Sequence, residues 1–574
     1  MATVDINKNG EQVSRTEVLG ILGGILLLMC LALAAYLHTE NMMSFPYYQD
    51  TEGTNLANAW AWTETGELTA YTYSYDEAPT GTFLLGMWGL LNGTFNSYGF
   101  PINSGRVLMM VFHLMSVAFV FGIAKSVSDS NLAAVIASLV FAFSPLATSL
   151  QRRVLLDNVM LPFLLAAVFF MVGEKRNLYH YMLSAFAFGV AVLIRGSAIY
   201  LLPGFFLVIS NLSHPHHRRF VVNIWVTLTI CLISIFPLYA QMRQELFPEG
   251  WLFGGDFPHV SLIERVMDRG ADTGVFLNLG SGLSYSFTEW TDIGNLTADP
   301  IIIYGGILCM LILGLLARYN NLFGALVVLV FSYVAGMVLG GRVVTSDALI
   351  LLPLFAVAIG TTVSVISKAT GVGGSISKVV LSSIALTIML YPFYIFYTAR
   401  VHIYTMDQVE GQVDAVSWVQ NNLPENAVLV TDNYAFVALR QNMPNVHHYW
   451  KIDTDPDIKF TLLQDNHCNI DYVLTTPQVT TDIDSFSLDL MARTIQNSQL
   501  LLTFENEGWP VEIWQVSKQN CEIDDDFGTD LDERGQPTTT ESTTSEAEPT
   551  SNTEEETESE QSENPAITTT PEQL

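Results

Sequence analysis

Residues 131–173 read NLAAVIASLVFAFSPLATSLQRRVLLDNVMLPFLLAAVFFMVG, and this stretch decides the fold. Two apolar runs, near 131–149 and 157–173, are joined by Gln151-Arg152-Arg153-Val154-Leu155-Leu156-Asp157-Asn158. A helix that crosses a bilayer needs roughly 20 predominantly apolar residues, so the stretch reads as two spans meeting at a charged turn. Working outward, similar runs fall near 17–37, 104–124, 179–194, 197–212, 220–240, 300–317, 321–341, 347–367 and 379–398, giving eleven in all. Composition agrees: half of the 574 residues are hydrophobic and 14% are charged, against roughly 25% in ordinary soluble domains. The expected fold class is a polytopic α-helical membrane protein with about 11 transmembrane helices, followed by a C-terminal extracytoplasmic α/β domain and a disordered acidic tail.

Lysine and arginine in short loops mark the cytoplasmic side. With the N-terminus inside, Arg15, Lys125, Lys175, Arg176, Arg218, Arg219, Arg318, Lys368 and Lys378 all fall there. The first run lacks a small-residue cleavage site after a short apolar core and reads as a retained anchor. Three regions then lie outside: a first loop over 38–103, a second over 241–299, and everything after Arg400. The domains expected are a transmembrane module over 1–400, a soluble α/β domain over 401–523 and a tail over 524–574. The first loop holds two aromatic-rich, mildly amphipathic stretches, Thr54 to Thr63 and Thr80 to Leu91, expected to be short helices at the membrane surface. The soluble region predicts a helix near 407–422, a strand over 427–430, a helix near 433–440, and strands near 470–475 and 511–516. The tail is rich in Thr, Glu and Ser, which predicts disorder. The net charge of −31 is concentrated there, since residues 521–574 hold 17 acids against Arg534.

Basic patches interleaved with aromatics are missing, which argues against a nucleic-acid partner. Cys30, Cys231 and Cys309 sit in apolar runs, while Cys468 and Cys521 fall where an oxidising compartment would let them pair. The sequons Asn92-Gly93-Thr94 and Asn295-Leu296-Thr297 lie on the expected outer side.

The chemistry-bearing residues cluster outside. Asp50 and Glu52 stand just beyond the first run; two carboxylates at this spacing suit a proton transfer or a cation, or belong to an ordinary solvated loop. Asp76 and Glu77 precede Pro79, which reads as the start of a helix. They either line the same cavity or form a helix N-terminal charge pair. Arg153 and Asp157 are four apart and would share a face if helical. Charges this close to hydrocarbon are usually kept for a pathway or a site. Arg195 and Arg342 are cations near the outer surface. A guanidinium fork there suits a lipid phosphate, and snorkelling to headgroups is the plainer account.

The acidic pair after the first run, the segment Tyr75-Asp76-Glu77-Ala78-Pro79, the turn Arg152 to Asn158 and Arg342 before a run containing Leu351-Leu352-Pro353 occur in an order along the chain that resembles the type C membrane glycosyltransferases. The nearest branch resembles the protein O-mannosyltransferases and aminoarabinose transferases. The resemblance covers roughly 17–400, and the 401–523 region is similar to the soluble domain of some prokaryotic members. It implies a polyprenyl-phosphate sugar donor, an inverting transfer to an acceptor hydroxyl on the outer face, and Asp50 or Glu52 as general base. The family usually has two adjacent acids; Thr51 separates them here. Arg152 or Arg153 and Asp157 match the turn that shapes the donor site, with Arg195, Arg342 and Glu77 as further substrate-binding candidates. Glu77 to Pro79 departs from the His-Pro-Pro or Lys-Pro-Pro often seen there. No cofactor is expected to be required. A divalent metal would suit two carboxylates beside a phosphate, but this branch argues against a strict need. The chain lacks the Trp-Trp-Asp-Tyr-Gly run of oligosaccharyltransferases, which argues against en bloc transfer to asparagine.

The partners implied are the lipid-linked donor, membrane lipids, and a protein, lipid or cell-surface polymer as acceptor. The expected location is a prokaryotic plasma membrane, with the endoplasmic reticulum second. A transporter or flippase for a lipid-linked sugar is the competing reading, but it calls for mid-span ionisable residues and an internal repeat. A membrane scaffold is a third, for which eleven spans are excessive.

Overall fold

The computed structural model describes residues 5–6, 12–13, 15–93, 95, 97–173, 176–251, 254–255, 259–272, 299–340, 348–369, 405–505, 509–518 and 521. Arg342, the sequon at 295–297, Thr94, the eleventh apolar run, most of the second loop and the tail from 524 lie outside the described residues.

Ten of the eleven apolar runs fall on helices. They are α1 (Arg15–Thr39), α4 (Pro101–Ser128), α5 and α6 (Asn131–Phe143 and Pro145–Arg152), α7 (Leu156–Met171), α8 (Leu178–Ile194), α9 (Leu202–Leu212), α10 and α11 (Arg218–Ile233 and Ile235–Met242), α13 (Pro300–Leu316), α14 (Asn321–Gly340) and α15 (Ala348–Ala369). Between α1 and α4 come α2 (Asp50–Glu64) and α3 (Thr80–Leu91), and α12 spans Leu262–Asp272. Five described helices are long and apolar enough by themselves to cross a bilayer, or six if a bent pair is one span. Large apolar side chains remain exposed on the apolar helices, such as Leu28 and Met29 on α1 and Leu308 and Leu311 on α13. Water would penalise such faces and lipid would not, so the chain is a membrane protein.

The run read as one span near 131–149 is broken. Ser144 is extended, with φ −62° and ψ 117°, because a residue before proline is pushed away from helical geometry. Helix α6 restarts at Pro145, with the Ser144 side chain capping Ala147 N, at 62° to α5. This bend re-aims the turn that carries Arg152 and Arg153. Helix α15 runs through the middle of the bundle, packed on α5, α4 and α13. At Gly360 a Cβ would lie 2.4 Å from Ala133 O of α5, so only glycine permits this approach.

The C-terminal region has α16 (Glu410–Asn422), β1 (Leu429–Thr431), α17 (Asn433–Arg440), β2 (Val446–His448), α18 (Lys451–Thr454), β3 (Tyr472–Thr475), α19 (Pro477–Phe486), α20 (Asp489–Gln496), β4 (Ser498–Phe504) and β5 (Val511–Val516). The sheet order is β2-β1-β3-β5-β4, parallel across β2-β1-β3 and antiparallel beyond. Alternation along the strands splits its two faces. Val430, Val473 and Val516 join a core private to this region, while Leu429, Leu474, Val511 and Ile513 belong to the core that continues into the helical bundle. Residues through Lys518 accordingly form one compact unit, and the boundary expected at 400 lies outside the described residues. Cys468 and Cys521 are disulfide-bonded, and Cys30, Cys231 and Cys309 are free.

The two stretches of the first loop expected to be short helices are helical, and the first of them packs on the C-terminal region. Helix α2 is wedged between α3 and α17. At Gly53 a Cβ would sit 2.1 Å from Asn433 O, and the Asn433 amide donates to Thr54 Oγ1 at 2.8 Å. Tyr48 and Gln412 exchange two hydrogen bonds, Tyr48 N to Oε1 at 2.7 Å and Nε2 to Tyr48 O at 2.9 Å. Tyr47 stacks on Trp509 with centroids 4.1 Å apart. Gly53→Ala is therefore expected to destabilise the protein by about 1–3 kcal/mol, since the methyl meets backbone that cannot swing aside. Thermal unfolding in detergent would register the loss.

Candidate active site

Asp50 and Glu52 both lie in the first turn of α2. A helix rotates about 100° per residue, so residues two apart diverge by about 200°. The structure gives them opposite surroundings. Glu52 is fully buried against Arg106, itself fully buried. Its Oε1 accepts from Arg106 Nη2 at 3.1 Å and from Gln49 N at 3.2 Å, while Oε2 accepts from Arg106 Nε at 3.3 Å and Val154 N at 2.9 Å. Each oxygen of this carboxylate is thus occupied by two donors from the protein itself. Arg106 also donates to the carbonyls of Met42 at 3.1 Å and Pro46 at 2.8 Å, and so fixes the whole entry to α2.

Asp50 is half-buried. Its Oδ1 is shut away from solvent without a hydrogen-bond partner. Burial pushes its carboxyl well above the ordinary range, and Asp432 and then Asp482 push it further. Of the two acids, Asp50 is the one that keeps a carboxylate oxygen without a hydrogen-bond partner.

The Arg152-to-Asn158 turn lies directly against this helix. Asn55 Nδ2 donates to Val154 O at 2.9 Å, and Arg153 Nη1 donates to Gln49 Oε1. The Arg153 guanidinium lies 4.9 Å from the Tyr47 ring centroid and has no carboxylate within ion-pair distance among the described residues. Its Nε is buried and unpartnered. Arg152 plays a different part: buried, it donates through Nη2 to Leu37 O at 3.0 Å and to Glu40 O, satisfying carbonyls at the end of α1.

Arg153 and Asp157 do not pair, because Arg153 is extended and the helix resumes only at Leu156. Asp157 instead meets Arg195, Oδ1 to Nε at 3.3 Å, and Arg195 Nη1 meets Glu77 Oε1 at 2.7 Å. This chain ties the first loop to the ends of α7 and α8 and leaves Arg195 held by two acids rather than snorkelling. Asp76 turns away from Glu77, to Arg265 at 2.6 Å. Six of the expected residues, Asp50, Glu52, Arg153, Asp157, Arg195 and Glu77, thus come together around one turn, with Arg152 beneath it.

Sequence reasoning missed Arg106, Asp432 and Asp482. Arg106 had a signal, a lone cation in the second turn of an apolar helix opened by Pro101. Asp432 had another, an acid immediately after a short strand, where ligands gather in α/β sheets.

Comparison with known proteins agrees with this architecture. Residues 84–240 match the family model described as dolichyl-phosphate-mannose-protein mannosyltransferase. No curated protein sequence matches. Among solved structures, the chain is similar to the oligosaccharyltransferase AglB from Archaeoglobus fulgidus, in complex with an inhibitory peptide and a dolichol-phosphate. The TM-score is 0.54 at 12% identity, over 88% of this chain and 75% of that one. It is also similar to ArnT from Cupriavidus metallidurans bound to undecaprenyl phosphate, at TM-score 0.51 and 12% identity, over 85% and 97% of the two chains. At such identities the likeness is one of fold, and it bears out the resemblance read from the sequence: the chain has the fold of the type C membrane glycosyltransferases.

Proposed function

We propose that the protein is a glycosyltransferase that moves a sugar from a polyprenyl-phosphate carrier to an acceptor hydroxyl on the outer face of the membrane. The observation that carries this reading is a base and a cation flanking one residue: the Asp50 carboxyl follows Gln49, and the Arg153 guanidinium, lacking a carboxylate partner among the described residues, donates to Gln49. Asp50 takes the acceptor proton as the acceptor oxygen attacks the anomeric carbon. The bond from that carbon to the phosphate oxygen breaks, and Arg153 stabilises the charge arriving on the leaving phosphate. Direct displacement inverts the anomeric centre. Arg195, already held between Glu77 and Asp157, is less suited to a phosphate and acts by shaping the donor side of the turn.

The dolichol-phosphate on AglB and undecaprenyl phosphate on ArnT support a lipid-phosphate donor here. The N-terminus is cytoplasmic in this reading, and the sheet faces outward, where Cys468 and Cys521 meet an oxidising compartment. Glu52, assigned with Asp50 as a candidate base, becomes a positioning residue.

The test is transfer of radiolabelled sugar from a panel of polyprenyl-phosphate monosaccharides by the purified full-length protein in detergent, supplied with membrane extract. Transfer from one donor is expected, and Arg153→Ala should weaken use of that donor by about 10²-fold. Failure with every donor, together with movement of a fluorescent lipid-linked sugar across vesicles, would replace this reading with a flippase.

A further inference from the structure

The three parallel strands β2, β1 and β3 end at one edge, with Thr431 registered opposite both His448 and Leu474. The residues that follow them are Tyr449, Asp432 and Thr476. Thr476 donates to Asp432 Oδ2, and Asp432 Oδ1 accepts from Tyr434 N at 3.3 Å. From α19, Asp482 accepts from the Tyr449 hydroxyl at 2.5 Å and from Gln478 Nε2 at 2.9 Å. Helix α2 sits on this edge through Gly53 and Thr54, one turn beyond Asp50. The fully buried Asn433 keeps its Oδ1 unpartnered there.

We infer that the carboxyl edge of the C-terminal sheet belongs to the catalytic apparatus, with Asp432 and Asp482 as positioning residues that set the base strength of Asp50. The inference rests on the reading of Asp50 as the base. Three acids converge from the first loop, the end of β1 and α19. Like charges in a poorly solvated space favour retention of a proton, and a carboxylate that holds its proton more tightly is the stronger base toward a hydroxyl.

The other groups around Asp50 do not cancel this. The Tyr449 hydroxyl and Asn433 amide ease it in part. On its own helix Glu52 is neutralised by Arg106, and Arg153 is directed to Gln49. Asp432 is itself pushed up to about 6 by burial, against the hydrogen bonds from Thr476 and the Tyr434 amide.

The experiment uses the full-length protein in detergent, as wild type, Asp432→Asn and Asp482→Asn. Asp482 is only half-buried, so its variant guards against misfolding at the fully buried Asp432. Activity needs Asp50 ionised. Each substitution should therefore move the acid limb of kcat/KM to lower pH by about one pH unit and reduce the plateau rate. In parallel, the infrared band of the protonated Asp50 carboxyl, identified by its absence in Asp50→Asn, should titrate at lower pH in both variants. An acid limb and a band both unmoved in Asp482→Asn would overturn the inference. A wild type that transfers no sugar while its Asp50 band shifts in the variants would overturn the function reading and, with it, the catalytic meaning of the coupling.

Discussion

Asp50→Asn is expected to lower kcat/KM for sugar transfer by about 10²–10⁴-fold, and to leave the protein at least as stable as wild type. The two expectations come from one geometry. The asparagine is isosteric, and Oδ1 of Asp50 has no hydrogen-bond partner to lose, so what is given up is the partial easing from the Tyr449 hydroxyl and the Asn433 amide. What disappears is a charge that burial, Asp432 and Asp482 all oppose, so its removal relieves repulsion. Sites that hold like charges together for function commonly gain stability when one is neutralised. Turnover and thermal unfolding measured on the same preparation separate this outcome from misfolding, in which both would fall. Retained turnover would remove Asp50 from the chemistry.

Glu52→Gln should behave in the opposite way. Breaking a buried ion pair from one side costs about 3–5 kcal/mol, because the remaining charge is left uncompensated in a dry site. Arg106 is fully buried and has no carboxylate partner other than Glu52 among the described residues. The substitution also disturbs the bonds from Val154 N and Gln49 N. Activity should fall because the whole first loop loosens, with Asp50 carried along, and the melting temperature should fall with it. A protease should then cut within 42–54, the segment that Arg106 and Glu52 hold. Arg106→Lys should rescue nothing, since a point charge cannot bridge a carboxylate and two carbonyls in a fork. The Glu52→Met, Arg106→Met double variant should be milder than Glu52→Gln alone. A Glu52→Gln protein that melts like wild type but transfers no sugar would return Glu52 to the role of base.

These two acids show where the sequence could be read and where it could not. The apolar runs were legible because a bilayer imposes a length and a composition, and ten of them fall on helices. The strand and helix at 511–516 and 433–440 were legible from local pattern. The different fates of Asp50 and Glu52 were not, because that reading requires knowing that α2 begins at Asp50 and not at Thr54. Only a helix starting there turns one acid toward Arg106 and the other toward the sheet. The Arg153–Asp157 spacing misled for the converse reason: it assumes a helix where the extended Arg153 and Leu155 interrupt one. The relation of Asp432 and Asp482 to Asp50 was illegible because it spans most of the chain. Local periodicity carries no information about such pairs.

That span has a consequence in time. Tyr48 and Gln412, which exchange two hydrogen bonds, are 364 residues apart. At roughly 5–20 residues per second, synthesis leaves the first loop waiting on the order of 20–70 s for its partner. Through that interval α2 has only the early helices against one flank, and its glycine face has nothing to rest on. The newborn chain is most open to proteases and quality-control factors over this interval, while the later helices of the bundle are still being made.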